Sequence, residues 1–181
     1  MESENTIKTG GIYHLTCFKD ASMKEVLWDE TIENSVTNQG LNQLNNEFFY
    51  TTAKLAHAWY LELVSTNTNF AAGMTYAVPV YTASTAEGLR QACTFAASSS
   101  QIVTNTASPA VFTNGGDSGT PASETIYGVA LIGATSGSYT TPGDTTATGG
   151  CLFSYGKLTT AQPWISGNVI NLTYQVTSAT T

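Results

Sequence analysis

The sequence predicts a mainly β protein, a jelly-roll-like β-sandwich with one short amphipathic helix. Three observations point there. About eight to ten short segments alternate apolar and polar residues, the period of a half-buried strand. Gly-, Ser-, Thr-, Asn- and Pro-rich turns separate them at the spacing of sandwich and barrel folds. A helical period of 3.6 is clear in only one stretch, residues 36–49. At 181 residues the chain suffices for one domain with a substantial core.

The elements follow in order. Residues 1–10 are polar and read as a flexible N-terminal arm, leaving 11–181 as the sandwich. Residues 11–18 form a strand with Tyr13, Leu15 and Cys17 on one face. A turn over 19–24 leads into a second strand, 25–32, with Val26, Trp28 and Ile32 aligned, so 11–32 is a hairpin. In the helix, Thr37 is the N-cap, because its hydroxyl can take up an orphan N–H of the first turn. Val36 and Leu41 stand at the positions of a hydrophobic staple. Leu41, Leu44 and Phe48 form an apolar stripe expected to pack inward, with Asn38, Gln39, Asn42, Asn45 and Asn46 facing water.

The main strands occupy 57–177. Residues 57–64 alternate Trp59, Leu61 and Leu63 against Tyr60, Glu62 and Val64, a core strand. Residues 76–82 carry Pro79, which limits them to an edge strand or to an extended non-strand segment. Residues 89–97 are read as strand because Ala92, Thr94 and Ala96 alternate with Gln91, Cys93 and Phe95. Short strands are expected at 101–106 and 110–113. The apolar run Ile126–Ile132 suits a central strand covered on both sides. Residues 133–150 lack periodicity and read as a long flexible loop. Strands at 151–158 and 169–177 close the chain.

Composition excludes several function classes. Charged residues are 10% of the chain, against about a quarter in ordinary domains. The net charge is −7 with only 6 Lys and Arg. No basic stripe can neutralise phosphates, so no nucleic-acid partner is expected. No run of 18 apolar residues would span a membrane, so no membrane partner is expected, and the first residues lack the features of a signal peptide. The expectation is a soluble protein made in a cytosol. Cys17, Cys93 and Cys151 are odd in number and widely spaced, which suits buried reduced thiols.

The chemical motifs are thin. Gly116-Asp117-Ser118-Gly119 matches the nucleophile segment of chymotrypsin-like proteases, which also require a histidine base and a carboxylate to orient it. Here it continues Thr120-Pro121, and between His57 and Asp117 the only carboxylates are Glu62 and Glu87. Turn composition explains the segment. His14 and His57 have no ligand at i+2 or i+4, and Asp144 stands alone in its loop, so no metal and no cofactor is expected. No pair of carboxylates stands out for glycoside hydrolysis. No catalytic residue is assigned. Tyr139, Tyr155 and Trp164 lie in or near loops, where aromatics can form a protein or sugar contact.

The order of segments resembles the opening of a broad class of tailed-bacteriophage virion structural proteins. A strand, an Asp-containing turn and a Trp-bearing strand precede an Asn-x-Val-Thr-x-x-Gly-Leu-Asn helix, here Asn34, Val36, Thr37, Gly40, Leu41 and Asn42. A Trp-Tyr-x-x-Leu strand follows (Trp59, Tyr60, Leu63), then Arg90 and Phe95, Thr104, Asn105 and Phe112, and Ile126 and Gly128. The likeness runs from about Gly11 to Thr177, and its most distinctive part is 36–42. It implies a non-enzymatic capsid cement (decoration) protein on the outer surface of the virion. Its implied partner is the major capsid protein, and its implied state a homo-oligomer, most often a trimer. The alternative is a head- or tail-fibre module that binds a host receptor or saccharide. The helix suggests partner contacts at Asn42 and Asn46, and the loops suggest them at Tyr139 and Trp164.

Overall fold

The computed structural model describes residues 7–50, 58–117, 119–134, 139–147 and 149–180. Among them are ten strands and one helix. The hairpin is formed by β1 (Ile7–Phe18) and β2 (Val26–Glu33), with a register shift at Cys17/Phe18. β3 (Ser35–Val36) leads into α1 (Asn38–Phe49). Then come β4 (Ala58–Val64), β5 (Gln91–Ala92), β6 (Ile102–Thr104), β7 (Ala110–Thr113), β8 (Glu124–Ala134), β9 (Cys151–Trp164) and β10 (Val169–Thr180). β1 begins at Ile7 and pairs with β10 as far as Thr180, so part of the expected arm is strand. Residues 1–6 lie outside the described residues.

Two antiparallel five-stranded sheets result, consistent with a β-sandwich. The first runs β2-β1-β10, with β6 and β7 both pairing the far edge of β10. Between them Asn105 takes the place of a strand. Its side-chain oxygen accepts from Tyr174 N (2.7 Å), its Nδ2 donates to Leu172 O (3.4 Å) and its backbone N donates to Tyr174 O (3.3 Å). The second sheet runs β3-β9-β8-β4-β5.

Alternation decides what lies between the sheets. Tyr13, Leu15 and Cys17 of β1 and Ile170, Leu172 and Tyr174 of β10 meet Leu61, Leu63, Val129, Leu131 and Phe153 of the second sheet. Each fully buried large side chain of this set contributes about 1.5–3 kcal/mol of transfer free energy. The aromatic part is also hydrogen-bonded. Tyr13 stacks on Tyr174 with ring centroids 4.3 Å apart, and the Tyr13 hydroxyl lies 2.6 Å from Ser154 Oγ on the opposite sheet. Asn34 Nδ2 donates to the Tyr174 hydroxyl (2.6 Å). This polar seam satisfies the buried hydroxyls and fixes how the two layers face each other.

The second sheet is covered on its outer side too. Tyr60, Ala130, Ile132, Leu152 and Tyr155 pack there against Met74, Tyr76 and Tyr139 from the connections after β4 and β8. That double burial explains the continuous apolar run of β8, as expected. The three cysteines are free and buried, and burial pushes each thiol up to about 12.

Of the two alternatives for 76–82, the edge strand is not formed. The residues run through bends, and Val80 has φ +62°, a left-handed geometry that breaks a ladder. Two expectations are corrected. Residues 89–97 contribute only Gln91–Ala92 to a sheet. The second concerns α1. Thr37 is its N-cap, accepting from Gly40 N (2.9 Å) and donating to Leu152 O (2.5 Å). The face that meets β9 centres on Gly40, where an added Cβ would lie 2.4 Å from Phe153 O. Leu41 is one residue on, about 100° around the helix. It is 43% exposed and Phe48 74%; neither packs inward. Of the stripe only Leu44, four residues on from Gly40, is half-buried.

Candidate functional site

The outer layer contains the strongest polar arrangement among the described residues. β4 is buried on both faces, and alternation points Glu62 outward, away from Leu61 and Leu63, into that layer. Arg90 enters it from the segment just before β5. Both side chains are 2% exposed, with Arg90 Nε 2.5 Å from Glu62 Oε2. Glu62 Oε2 also accepts from Gly143 N (2.8 Å), and Oε1 accepts from the Tyr81 hydroxyl (3.1 Å). Arg90 Nη1 donates to Tyr139 O (3.1 Å) and Nη2 to Asp144 O (3.0 Å). Its guanidinium carbon lies 5.5 Å from the Tyr76 ring centre.

Burial works against the charge on Arg90, but the Glu62 carboxylate and the Tyr76 hydroxyl outweigh it and hold its pKa above the ordinary value. Burial pushes Tyr81 well up, and the Glu62 charge pushes it further. A recess of about 190 Å³ opens beside the pair, bounded by Pro79, Ala83, Thr85 and Pro142. The bonds around the pair join the connection after β4 to the one after β8. Chemically this is a clamp, since the carboxylate and guanidinium are both engaged in holding backbone. Within the expected loop at 133–150, Asp144 is tied to Arg90 through its carbonyl, and its own carboxylate accepts from Thr146 N (2.8 Å).

A second acidic constellation lies at the Gly-Asp-Ser-Gly segment. Glu87 is buried. Its Oε2 accepts from Thr113 N, and its Oε1 from Gln91 Nε2 (3.0 Å). The same Gln91 nitrogen donates to Asp117 Oδ2 (3.0 Å), so the two carboxyls share a donor. Burial, reinforced by the Asp117 charge, pushes Glu87 up to about 8, against the bond from Thr113. Ser118 and His57 lie outside the described residues. The other histidine, His14, bonds Asp29 across the hairpin, with Nε2 to Oδ2 at 2.9 Å, and Thr16 Oγ1 donates to the same oxygen (2.6 Å). No three His, Cys, Asp or Glu side chains gather as a metal-ligating group among the described residues. No helix among them is long and apolar enough to cross a membrane.

The four suggested contact residues divide evenly. Asn42 is exposed and Asn46 half-buried, both on α1. Tyr139 and Trp164 are 2% and 0% exposed, a correction, as is the buried Tyr155. Tyr139 packs edge-on against Tyr76 with centroids 5.8 Å apart, and Trp164 Nε1 donates to Asn168 O (3.2 Å) in the turn before β10. Aromatics near loops here fill the ends of the cores. The exposed aromatics are Phe48 (74%), Phe49 (85%) and Tyr50 (57%) at the end of α1. Three successive aromatics ending a helix rich in Asn and Gln were the available signal, masked by fitting Phe48 to an inward stripe.

Comparison of the chain with protein-family profiles, curated proteins and solved structures returns no match.

Proposed function

We propose that the chain is a non-enzymatic capsid cement protein with a jelly-roll-like sandwich. It attaches to the outer surface of the major capsid protein shell of a tailed bacteriophage and acts as a homo-oligomer, with a trimer favoured. The support begins with the resemblance, whose most distinctive segment, 36–42, is the start of α1. The observation that carries the reading is the surface of that helix. Leu41, Phe48, Phe49 and Tyr50 are exposed beside Asn42 and Asn46, and the last turn holds no basic residue. Apolar exposure of this kind, rimmed by amides, suits a surface covered in an assembly. Modest contacts repeated over symmetric copies sum to strong reinforcement. The net charge of −7 suits a surface turned away from packaged DNA. The fibre reading drew on aromatics near loops, and two of these, Tyr139 and Trp164, are buried.

The test is co-sedimentation of the purified chain with empty shells of the phage that encodes it. Wild-type protein is expected to pellet with the shells. The Asn42→Lys/Asn46→Lys and Phe48→Ser/Phe49→Ser variants are expected to stay in the supernatant with unchanged circular dichroism. Wild-type protein that fails to bind shells refutes the cement function. Full binding by both variants refutes α1 as the docking face.

A further inference from the structure

A strand at the edge of a sheet presents unpaired N–H and C=O groups to any extended chain that reaches it. Most edges of the two sheets are blunted. β3 and β5 are two residues long, and β6 and β7 three and four. The outer edge of β9 carries Pro163, and its Thr159 N is taken by the Glu30 carboxylate. β2 is the exception. It is eight residues long, with β1 on one side and no backbone partner on the other among the described residues. The pairing fixes which groups face outward. Asn34 N donates to Gly11 O across the ladder, so in this register the bonded pairs that follow are Tyr13/Ile32 and Leu15/Glu30. The N–H and C=O of Asp29, Thr31 and Glu33 therefore point away from β1. No proline, lysine or bulge interrupts 29–33, and the register shift lies at the far end of the hairpin, at Cys17/Phe18.

Side chains decide which strand can use this edge. Asp29, Thr31 and Glu33 share the outer face of the sheet, and all three are exposed. Residues 25–33 hold four acidic residues and no Lys or Arg. His14 and Thr16 of β1 hold the Asp29 carboxylate in place. A second copy laid antiparallel and centred on Thr31 would set Asp29 against Glu33 twice, and like charges directly opposite destabilise a pair. A strand with Lys or Arg four residues apart meets both carboxylates instead. We propose that the free edge of β2 is a docking site for an extended basic segment of another protein, which adds as a further strand with Lys or Arg opposite Asp29 and Glu33. Backbone hydrogen bonds to 29, 31 and 33 supply the affinity, and the two acids select the charge of the partner. The edge involves neither α1 nor the capsid reading and stands or falls independently of both.

The probe is the capped peptide Thr-Val-Lys-Val-Thr-Val-Lys-Val-Thr, with a control in which both lysines are glutamate. Amide exchange of the full chain is read at Asp29, Thr31 and Glu33, and affinity by fluorescence anisotropy of the labelled peptide. Protection at these amides is expected to rise about tenfold or more with saturating lysine peptide, while the Ile32 amide in the β1 ladder stays unchanged. The glutamate peptide is expected to bind about tenfold more weakly. Thr31→Pro deletes an outward donor and leaves β1 its own bonds. It is expected to lose about tenfold or more in affinity with unchanged circular dichroism. Glu33→Lys, at an exposed side chain, is expected to weaken the lysine peptide about threefold or more. No gain in protection at about 1 mM lysine peptide, equal binding of the glutamate peptide, or full binding by Thr31→Pro overturns the docking edge. Protection that rises with protein concentration alone assigns the edge to a second copy and overturns it too. If Thr31→Pro does not fold, Glu33→Lys decides, and undiminished binding by that variant overturns the proposal.

Discussion

Replacing Arg90 by Met tests the clamp at the centre of the outer layer. The change removes the guanidinium bonds to Glu62, Tyr139 O and Asp144 O and leaves the Glu62 carboxylate at 2% exposure. A Tyr81 hydroxyl and one backbone N–H would be its remaining donors. Breaking a buried pair from one side costs about 3–5 kcal/mol, because a charge is left buried without its partner. For a domain of this size about 1 kcal/mol lowers Tm by about 2–4 °C, so a fall of about 6–20 °C is expected. Removing both charges, with Glu62→Leu and Arg90→Met, relieves the stranded carboxylate and is expected to recover part of the loss. Urea denaturation of the wild type, both single variants and the double variant closes the cycle, with a coupling energy of at least about 1.5 kcal/mol expected. A cost below about 0.5 kcal/mol for Arg90→Met, or strictly additive effects, would refute the reasoning.

Three further predictions concern single positions. Gly40→Ala is expected to destabilise by about 1–3 kcal/mol, despite the better helix propensity of Ala, because its Cβ meets the Phe153 backbone at 2.4 Å; a thermal melt showing stabilisation would contradict this. Asn105→Ala is expected to cost about 2–4 kcal/mol, since Tyr174 N and Leu172 O each lose their side-chain partner between β6 and β7; urea midpoints measure it. The contribution of Glu87 to stability depends on pH with a defined sign. Its pKa rises from an ordinary 4.5 to about 8 on folding, so the folded state holds the extra proton. That contribution is fully present below about pH 4.5 and is lost as pH rises through about 8, at no more than about 1.4 kcal/mol per pH unit. Glu87→Gln is expected to flatten this part of the profile in denaturant titrations, and an unchanged slope would count against it.

Most of the strand frame was legible because alternation is enforced by burial on one face. Tyr13, Leu15 and Cys17, and Ile170, Leu172 and Tyr174, read inward in the sequence and lie inward in the structure. The central position of β8 was legible for the opposite reason, since Ile126–Ile132 has no polar face to give to water. Pro79 marked 76–82 as edge or non-strand chain, but the path of 65–90 was not legible. These residues cover the second sheet as irregular chain, and Val80 at φ +62° has no period to read. α1 was found with its cap, but its orientation was misread. Periodicity reports that a stripe exists, and here a glycine contact with Phe153 O decides which side meets the sheet. The Glu62–Arg90 clamp left a faint signal, a carboxylate in a core strand of a chain with only 6 Lys and Arg. The partners stand 28 positions apart, joined by chain whose path no local pattern specifies. Tyr139 and Trp164 show the same limit, because loop position in sequence did not reveal the cores that bury them, the outer layer for Tyr139 and the main core for Trp164.

The cement function is tested most directly by reconstructing the intact particle of the encoding phage and locating this chain in it. The account predicts copies on the order of hundreds, arrayed on the outer surface of the shell with the Phe48–Phe49 end of α1 against the major capsid protein. A few copies confined to the tail, or none on the shell, would contradict it.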